Sequence, residues 1–157
     1  MSTRSNIVYD TGDAVKAVYC HHDGYLDHNG RILFEHYNSE DKVEALIELG
    51  DFTSLKPTIE ETRKKVMRSH SFEPEVYRSL DQYMYQVQGS DIEYIYLWDK
   101  WMWWVSRNIA LNLWKDTPSY EKGYREWIFY HSDFQPLAQE LAQWNLDNPT
   151  DEQGQYV

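Results

Sequence analysis

The sequence predicts an α+β layer fold: an antiparallel sheet of four or five strands with helices packed on it. Three observations carry the prediction. Apolar residues recur at helical spacing between positions 39 and 88, while the segments on either side are short β-branched and aromatic runs broken by turn residues. Apolar residues make up 41% of the 157, an ordinary globular share and too many for a disordered chain. The aromatic share is high, with 13 Tyr, 7 Trp and 5 Phe. Tyr and Trp have an apolar body and a polar tip, so they suit half-buried sheets and interfaces as well as cores.

Residues 7–9 and 14–20 read as two strands around the turn Asp10-Thr11-Gly12-Asp13, where Gly12 supplies a positive φ. A short helix over 30–37 has Ile32, Leu33 and His36 at helical spacing. Ser39 then caps a second helix, with Glu40 and Asp41 in its first turn, a buried stripe of Val43, Leu46 and Ile47, and Gly50 at its end. Thr58 to Glu61 forms a capping box for a third helix, in which Glu60 and Glu61 reach Lys64 and Lys65 at i,i+4. A fourth helix follows Pro74, with Val76, Leu80, Tyr83, Met84 and Val87 on one face. Residues 92–98 and 101–105 then form a hairpin around Asp99-Lys100. A further strand over 109–113 and aromatic helices near 120–130 and 136–144 complete the reading. Residues 1–148 are expected to form one domain. Within it, 57–88 is a helical block inserted before the 92–105 hairpin, and 149–157 is a frayed acidic tail.

Net charge is −11, and no Lys or Arg follows Arg125. Sequence-independent binding to DNA, RNA or an anionic membrane needs the opposite sign, so direct nucleic-acid and membrane partners are disfavoured and a basic protein partner is favoured. The same acidity also keeps an aromatic surface soluble. One cysteine excludes an internal disulfide and a multi-cysteine zinc site. No basic-then-apolar leader and no run near about 18 apolar residues occurs, which predicts a cytosolic setting.

The segment YCHHDGY at 19–25 gathers the lone Cys20 with His21, His22 and Asp23. On a strand, Cys20 and His22 share one face and His21 and Asp23 the other. Cys20 and His22, completed by Asp27, His28 or His36, would suit zinc. A cysteine nucleophile needs an adjacent base, which alternation places on the wrong face. In the simplest reading this is a strand-to-helix corner: Cys20 is a small buried hydrophobe, Asp23 accepts backbone donors, and Gly24 takes a conformation other residues resist.

The opening Met1-Ser2-Thr3-Arg4-Ser5-Asn6-Ile7, the segment from Ala17 to Tyr25, Gly30 to Tyr37 and Leu46 to Leu55 together resemble a group of small tailed-bacteriophage and prophage proteins that share a Tyr-Cys-His-x-Asp-Gly-Tyr segment. The resemblance covers about the first 55 residues, and more loosely the hairpin at 92–105. This chain has His22 where the group has Trp, Leu26 where it has Pro, and Lys100 where it has Gly. The resemblance implies a viral origin and a fold, and no reaction; with the cytosolic setting expected above, the host cytoplasm is the expected location.

These readings converge on an acidic phage accessory protein that binds a host protein with a basic surface and inhibits or modulates it, as an anti-defence factor or nucleic-acid mimic would. The expected binding residues are Asp41, Glu44, Glu48 and Asp51, with Trp103 and Trp104 as aromatic anchors. Because Trp103 and Trp104 point to opposite faces of a strand, one of them is expected outside the main core. The second-choice pocket is Cys20, His22, Asp23, Tyr25 and His28. No catalytic residue, metal or cofactor is expected, and a homo-oligomer is left open. One alternative is a nucleotide or small-ligand sponge that uses Arg63, Lys64, Lys65 and Arg68. Another is a metal- or cysteine-dependent enzyme, and a structural or virion role is also compatible.

Overall fold

The structure, a computed structural model, describes residues 2–67, 73–87, 90–107 and 134–150. Strand β1 (Ser5–Asp10) turns into β2 (Val15–Cys20). Gly12 sits at φ 92°, and the Thr11 hydroxyl accepts from the amides of Asp13 and Ala14. A π-helical turn (Leu26–Gly30) leads into α1 (Arg31–His36), followed by α2 (Glu40–Ile47) and α3 (Ile59–Arg63). Then come β3 (Glu75–Tyr77), α4 (Leu80–Val87), β4 (Tyr94–Asp99), β5 (Met102–Arg107), β6 (Gln135–Pro136) and α5 (Leu137–Asp147).

The expected α+β architecture is present, but the sheet is not purely antiparallel. Among the described residues it has six strands in the order β3-β2-β1-β4-β5-β6, and the central pair β1/β4 is parallel, with Tyr9 opposite Trp98. A parallel neighbour requires a crossover, which the long helical block between β2 and β4 supplies. Both central strands are covered on both sides, which explains their near-continuous apolar runs IVY and YIYLW. On one face Ile7, Val18, Cys20, Tyr96, Trp98, Trp103 and Val105 pack with Leu33, Val43, Leu46, Ile47 and Leu137 from α1, α2 and α5. On the other, Val8, Val15, Ala17, Ile95 and Leu97 pack with Tyr83, Met84 and Val87 of α4.

Several local expectations hold. The Ser39 side chain caps α2 by accepting from the Lys42 amide, and Gly50 closes that helix region at φ 78°. Thr58 caps α3 by accepting from the Glu61 amide, while its hydroxyl donates to the Glu61 carboxylate at 2.9 Å. Others are corrected. The 57–88 block is not all helical: residues 75–77 pair antiparallel with β2, and Val76 is exposed on that edge strand, because open edge hydrogen bonds outweigh a weak helical pattern. Helix α3 ends at Arg63, so Glu60 and Glu61 form no ion pair with Lys64 or Lys65. The hairpin turn is Lys100-Trp101, one residue later than expected, since Asp99 pairs with Met102. The expected strand 109–113, the helix near 120–130 and the end of the tail beyond residue 150 lie outside the described residues. No helix among the described residues is long and apolar enough to cross a membrane.

Candidate functional site

At YCHHDGY the strand stops at Cys20. The left-handed residue of the corner is Asp23 (φ 57°), not Gly24. Gly24 is needed for a different reason: a Cβ there would lie 2.8 Å from both the Ser5 Cβ and the Thr3 carbonyl oxygen. The corner is organised by Asn29, fully buried and not singled out by the sequence reading. Its amide donates to Ser5 Oγ at 3.2 Å and Cys20 Sγ at 3.3 Å. Cys20 is itself fully buried, and burial pushes its thiol up to about 11, against smaller opposing contributions from Asn29 and a backbone hydrogen bond. A thiol held neutral is a poor nucleophile and metal ligand.

The ring of His22 hydrogen-bonds Ser2 Oγ at 2.8 Å, His28 bonds Asn29 Oδ1 at 2.9 Å, and Tyr25 is exposed beside the His28 ring. Among the described residues no group of three or more His, Cys, Asp and Glu is placed to hold a metal ion. Of the second-choice residues Cys20, His22, Asp23, Tyr25 and His28, the side chains of Cys20, His22 and His28 are bonded to local partners in this corner, and Asp23 contributes its backbone carbonyl, which accepts from the Asn29 amide.

The acidic candidates separate. Asp41 and Glu44 are exposed on α2. Glu48, one turn on, pairs with Lys16 at 3.1 Å. Asp51 lies past the helix, where its Oδ1 accepts from the Tyr19 amide at 2.9 Å and it borders the sheet's α4 face. The two tryptophans do face opposite sides. Trp103 is only 4% exposed in the α2-side core, with Nε1 donating to the Tyr37 carbonyl and its ring edge-on to Trp98. Withdrawing about 200 Å² of such a ring would cost on the order of 5 kcal/mol, so it is a core residue and no interface anchor. Trp104 is half-buried on the α4 side, and its Nε1 donates to the Asp99 carbonyl. Of the basic patch, Arg63, Lys64 and Lys65 are exposed at the end of α3, and Arg68 lies outside the described residues.

Among the described residues the strongly exposed tryptophan is Trp101, at 75%. Lys100 and Trp101 both have positive φ, 52° and 67°, the signature of a two-residue type I′ hairpin turn. Neither residue type favours that region, which costs about 1 kcal/mol or more per residue relative to glycine.

The tip stands in an acidic setting. Because β1 and β4 run parallel in register, Asp10 and Asp99 end adjacent strands at the same pole. Both border a groove of about 180 Å³ that also takes in Tyr9, Glu40 and Trp101. Tyr9 donates to Glu40 Oε1 at 2.6 Å. Burial, that bond and the charges of Glu40, Glu44 and Asp41 hold its phenol well above the ordinary tyrosine range, which places the α2 carboxylates around it. The pole thus joins the exposed Trp101 to the carboxylates of Asp10, Glu40, Asp41, Glu44 and Asp99, with Lys100 the cation on the groove itself. Sequence reasoning reached Asp41 and Glu44 but missed Trp101, whose only signal was its place beside a two-residue turn.

No protein-family model, curated protein or solved structure matches the chain. The arrangement of residues, rather than kinship, carries the functional reading.

Proposed function

We propose that the protein is a non-enzymatic binding protein: a small acidic phage accessory factor that covers a basic surface of a host protein and inhibits or modulates it. The observation that supports this reading is Trp101, held 75% exposed on two unfavourable backbone positions and set among carboxylates. A hairpin tip selected only for stability would carry Asn-Gly there. Tryptophan is among the residues enriched as interface anchors, and a net excess of charge of one sign, here five carboxylates against Lys100, speeds encounter with a partner of the other. A basic surface of this kind is what a nucleic-acid-binding host enzyme or defence factor presents, which makes the carboxylates of the pole candidates for nucleic-acid mimicry.

Affinity capture from bacterial host lysate, run in parallel with wild type, Trp101→Ala and Asp41→Lys/Glu44→Lys, tests the reading. A partner retained by wild type, lost from both variants and released as salt rises past the point where the Debye length falls to about 8 Å supports it. The same proteins captured by all three chains, or none by any, overturns it.

A further inference from the structure

The groove beside Trp101 is small and charged. Its volume is about 180 Å³, whereas pockets for whole small-molecule ligands begin at about 300 Å³. It therefore suits one side chain of a larger partner. Asp10, Glu40 and Asp99 border it half-buried, and the exposed Trp101 also lines it.

Each carboxylate keeps acceptor capacity. Asp10 Oδ1 accepts from the Gly12 amide at 2.9 Å and Glu40 Oε1 from the Tyr9 hydroxyl at 2.6 Å, so the second oxygen of each takes no hydrogen bond among the described residues. The Asp99 carboxylate has neither hydrogen bond nor ion pair among the described residues, while its backbone carbonyl takes the Trp104 indole. Lys100 also lines the groove, yet it forms no ion pair with any of the three. Nor do the carboxylates converge on a point: among the described residues no group of three or more His, Cys, Asp and Glu is placed to hold a metal ion. Their spread favours a cation large enough to reach more than one of them.

A guanidinium has that shape. Its planar fork gives parallel hydrogen bonds to carboxylates, it is more weakly hydrated than an ammonium, and it stacks on indole faces. Resting on the binding role set out above, we propose that the groove receives an arginine side chain of the partner, stacked on Trp101 and bonded to Asp99 and Asp10. Glu40 adds negative charge behind them, and Lys100 opposes the ligand by like charge. Lysine, a compact and strongly hydrated point charge, matches neither the ring face nor the spread of acceptors.

The probes are blocked tripeptides, N-acetyl-Gly-Arg-Gly-amide and its lysine and citrulline counterparts, titrated into the full chain with indole and amide chemical shifts recorded. The arginine peptide is expected to shift the Trp101 indole and the amides of residues 10–12 and 98–101. It should bind about tenfold tighter than the uncharged citrulline peptide and about threefold or more tighter than the lysine peptide. Asp99→Asn should weaken it about fivefold, and Lys100→Gln should strengthen it. Equal binding of the arginine peptide and either counterpart, the same shifts from calcium chloride, or no shift at Trp101 up to about 10 mM peptide overturns the assignment. These readings are independent of the lysate capture. Loss of arginine selectivity with Trp101-dependent capture intact overturns the arginine assignment alone. Failed capture with arginine selectivity intact overturns the host-binding role alone.

Discussion

The phenol of Tyr96 donates to the Gly24 carbonyl at 2.6 Å, with both residues buried. This bond joins the central strand β4 to the YCHHDGY corner, 72 positions away. Removing the hydroxyl leaves the carbonyl buried without that donor. Tyr96→Phe is therefore expected to lose about 1–3 kcal/mol of stability, read as a lower midpoint in urea unfolding with an unchanged slope. A midpoint within error of wild type would mean that the corner is not anchored through this bond.

Gly24 itself should be among the least replaceable positions. An added Cβ meets backbone at Thr3 and the Cβ of Ser5, neither of which is the far end of a flexible side chain. Gly24→Ala should cost about 1–3 kcal/mol through overpacking. Gly12→Ala, where the space is open and only φ 92° resists, should cost about 1 kcal/mol. Denaturation of the two variants side by side checks the order, and the reverse order would show that the approach of Gly24 to Thr3 and Ser5 relaxes freely.

The thiol of Cys20 gives a pH dependence with a definite sign. The ordinary thiol pKa is about 8.5, and burial pushes this one up to about 11. The fold thus favours the neutral thiol. Its contribution is complete below about pH 8.5 and is lost as pH rises through about 11, because the unfolded chain ionises first. Cys20→Ser should cost about 1–2 kcal/mol near neutrality, and that deficit relative to wild type should be gone by pH 10.5, where the unfolded thiol is ionised and the folded one is not. Urea titrations at pH 7.5 and 10.5 measure both terms; a deficit constant with pH would place the thiol in contact with water.

At the hairpin tip, stability and binding should move in opposite directions. Lys100→Asn with Trp101→Gly installs the pair that a type I′ turn prefers. Relief at φ 52° and 67° should raise stability by about 1–2 kcal/mol. The same change removes the exposed anchor, so capture of a basic partner should be abolished. A more stable variant that still binds would move the interface away from Trp101.

Charge reversal on α2 should act on rate rather than on fold. Glu44 is exposed on the flank of the Val43/Leu46/Ile47 stripe. Glu44→Lys should change unfolding free energy by less than about 0.5 kcal/mol while slowing association at low ionic strength, as surface plasmon resonance across a salt series would register. Glu48→Lys should be costlier, because Glu48 pairs with Lys16. An association rate untouched by both reversals would remove α2 from the encounter surface.

The sequence by itself determined what depends on neighbours along the chain. The Ser39 and Thr58 caps, the Gly12 turn, the buried Val43/Leu46/Ile47 stripe and the opposed faces of Trp103 and Trp104 all follow from spacing and side-chain chemistry within a few residues. The tertiary structure decided what depends on which segments meet. Nothing local tells β1 that its second neighbour is β4, running parallel 89 positions later, or tells residues 75–77 that an open strand edge waits at β2. The hub Asn29 was invisible because its partners Ser5 and Cys20 are 24 and 9 positions distant. For the same reason the carboxylates at 41, 44, 48 and 51 read as one surface but are divided by the helix end. Trp101 read as the start of a strand, yet register with Asp99 and Met102 placed it at the tip. Hydrogen-bond register is a property of two strands together, and a one-residue difference in it decides whether a tryptophan is buried or presented to solvent.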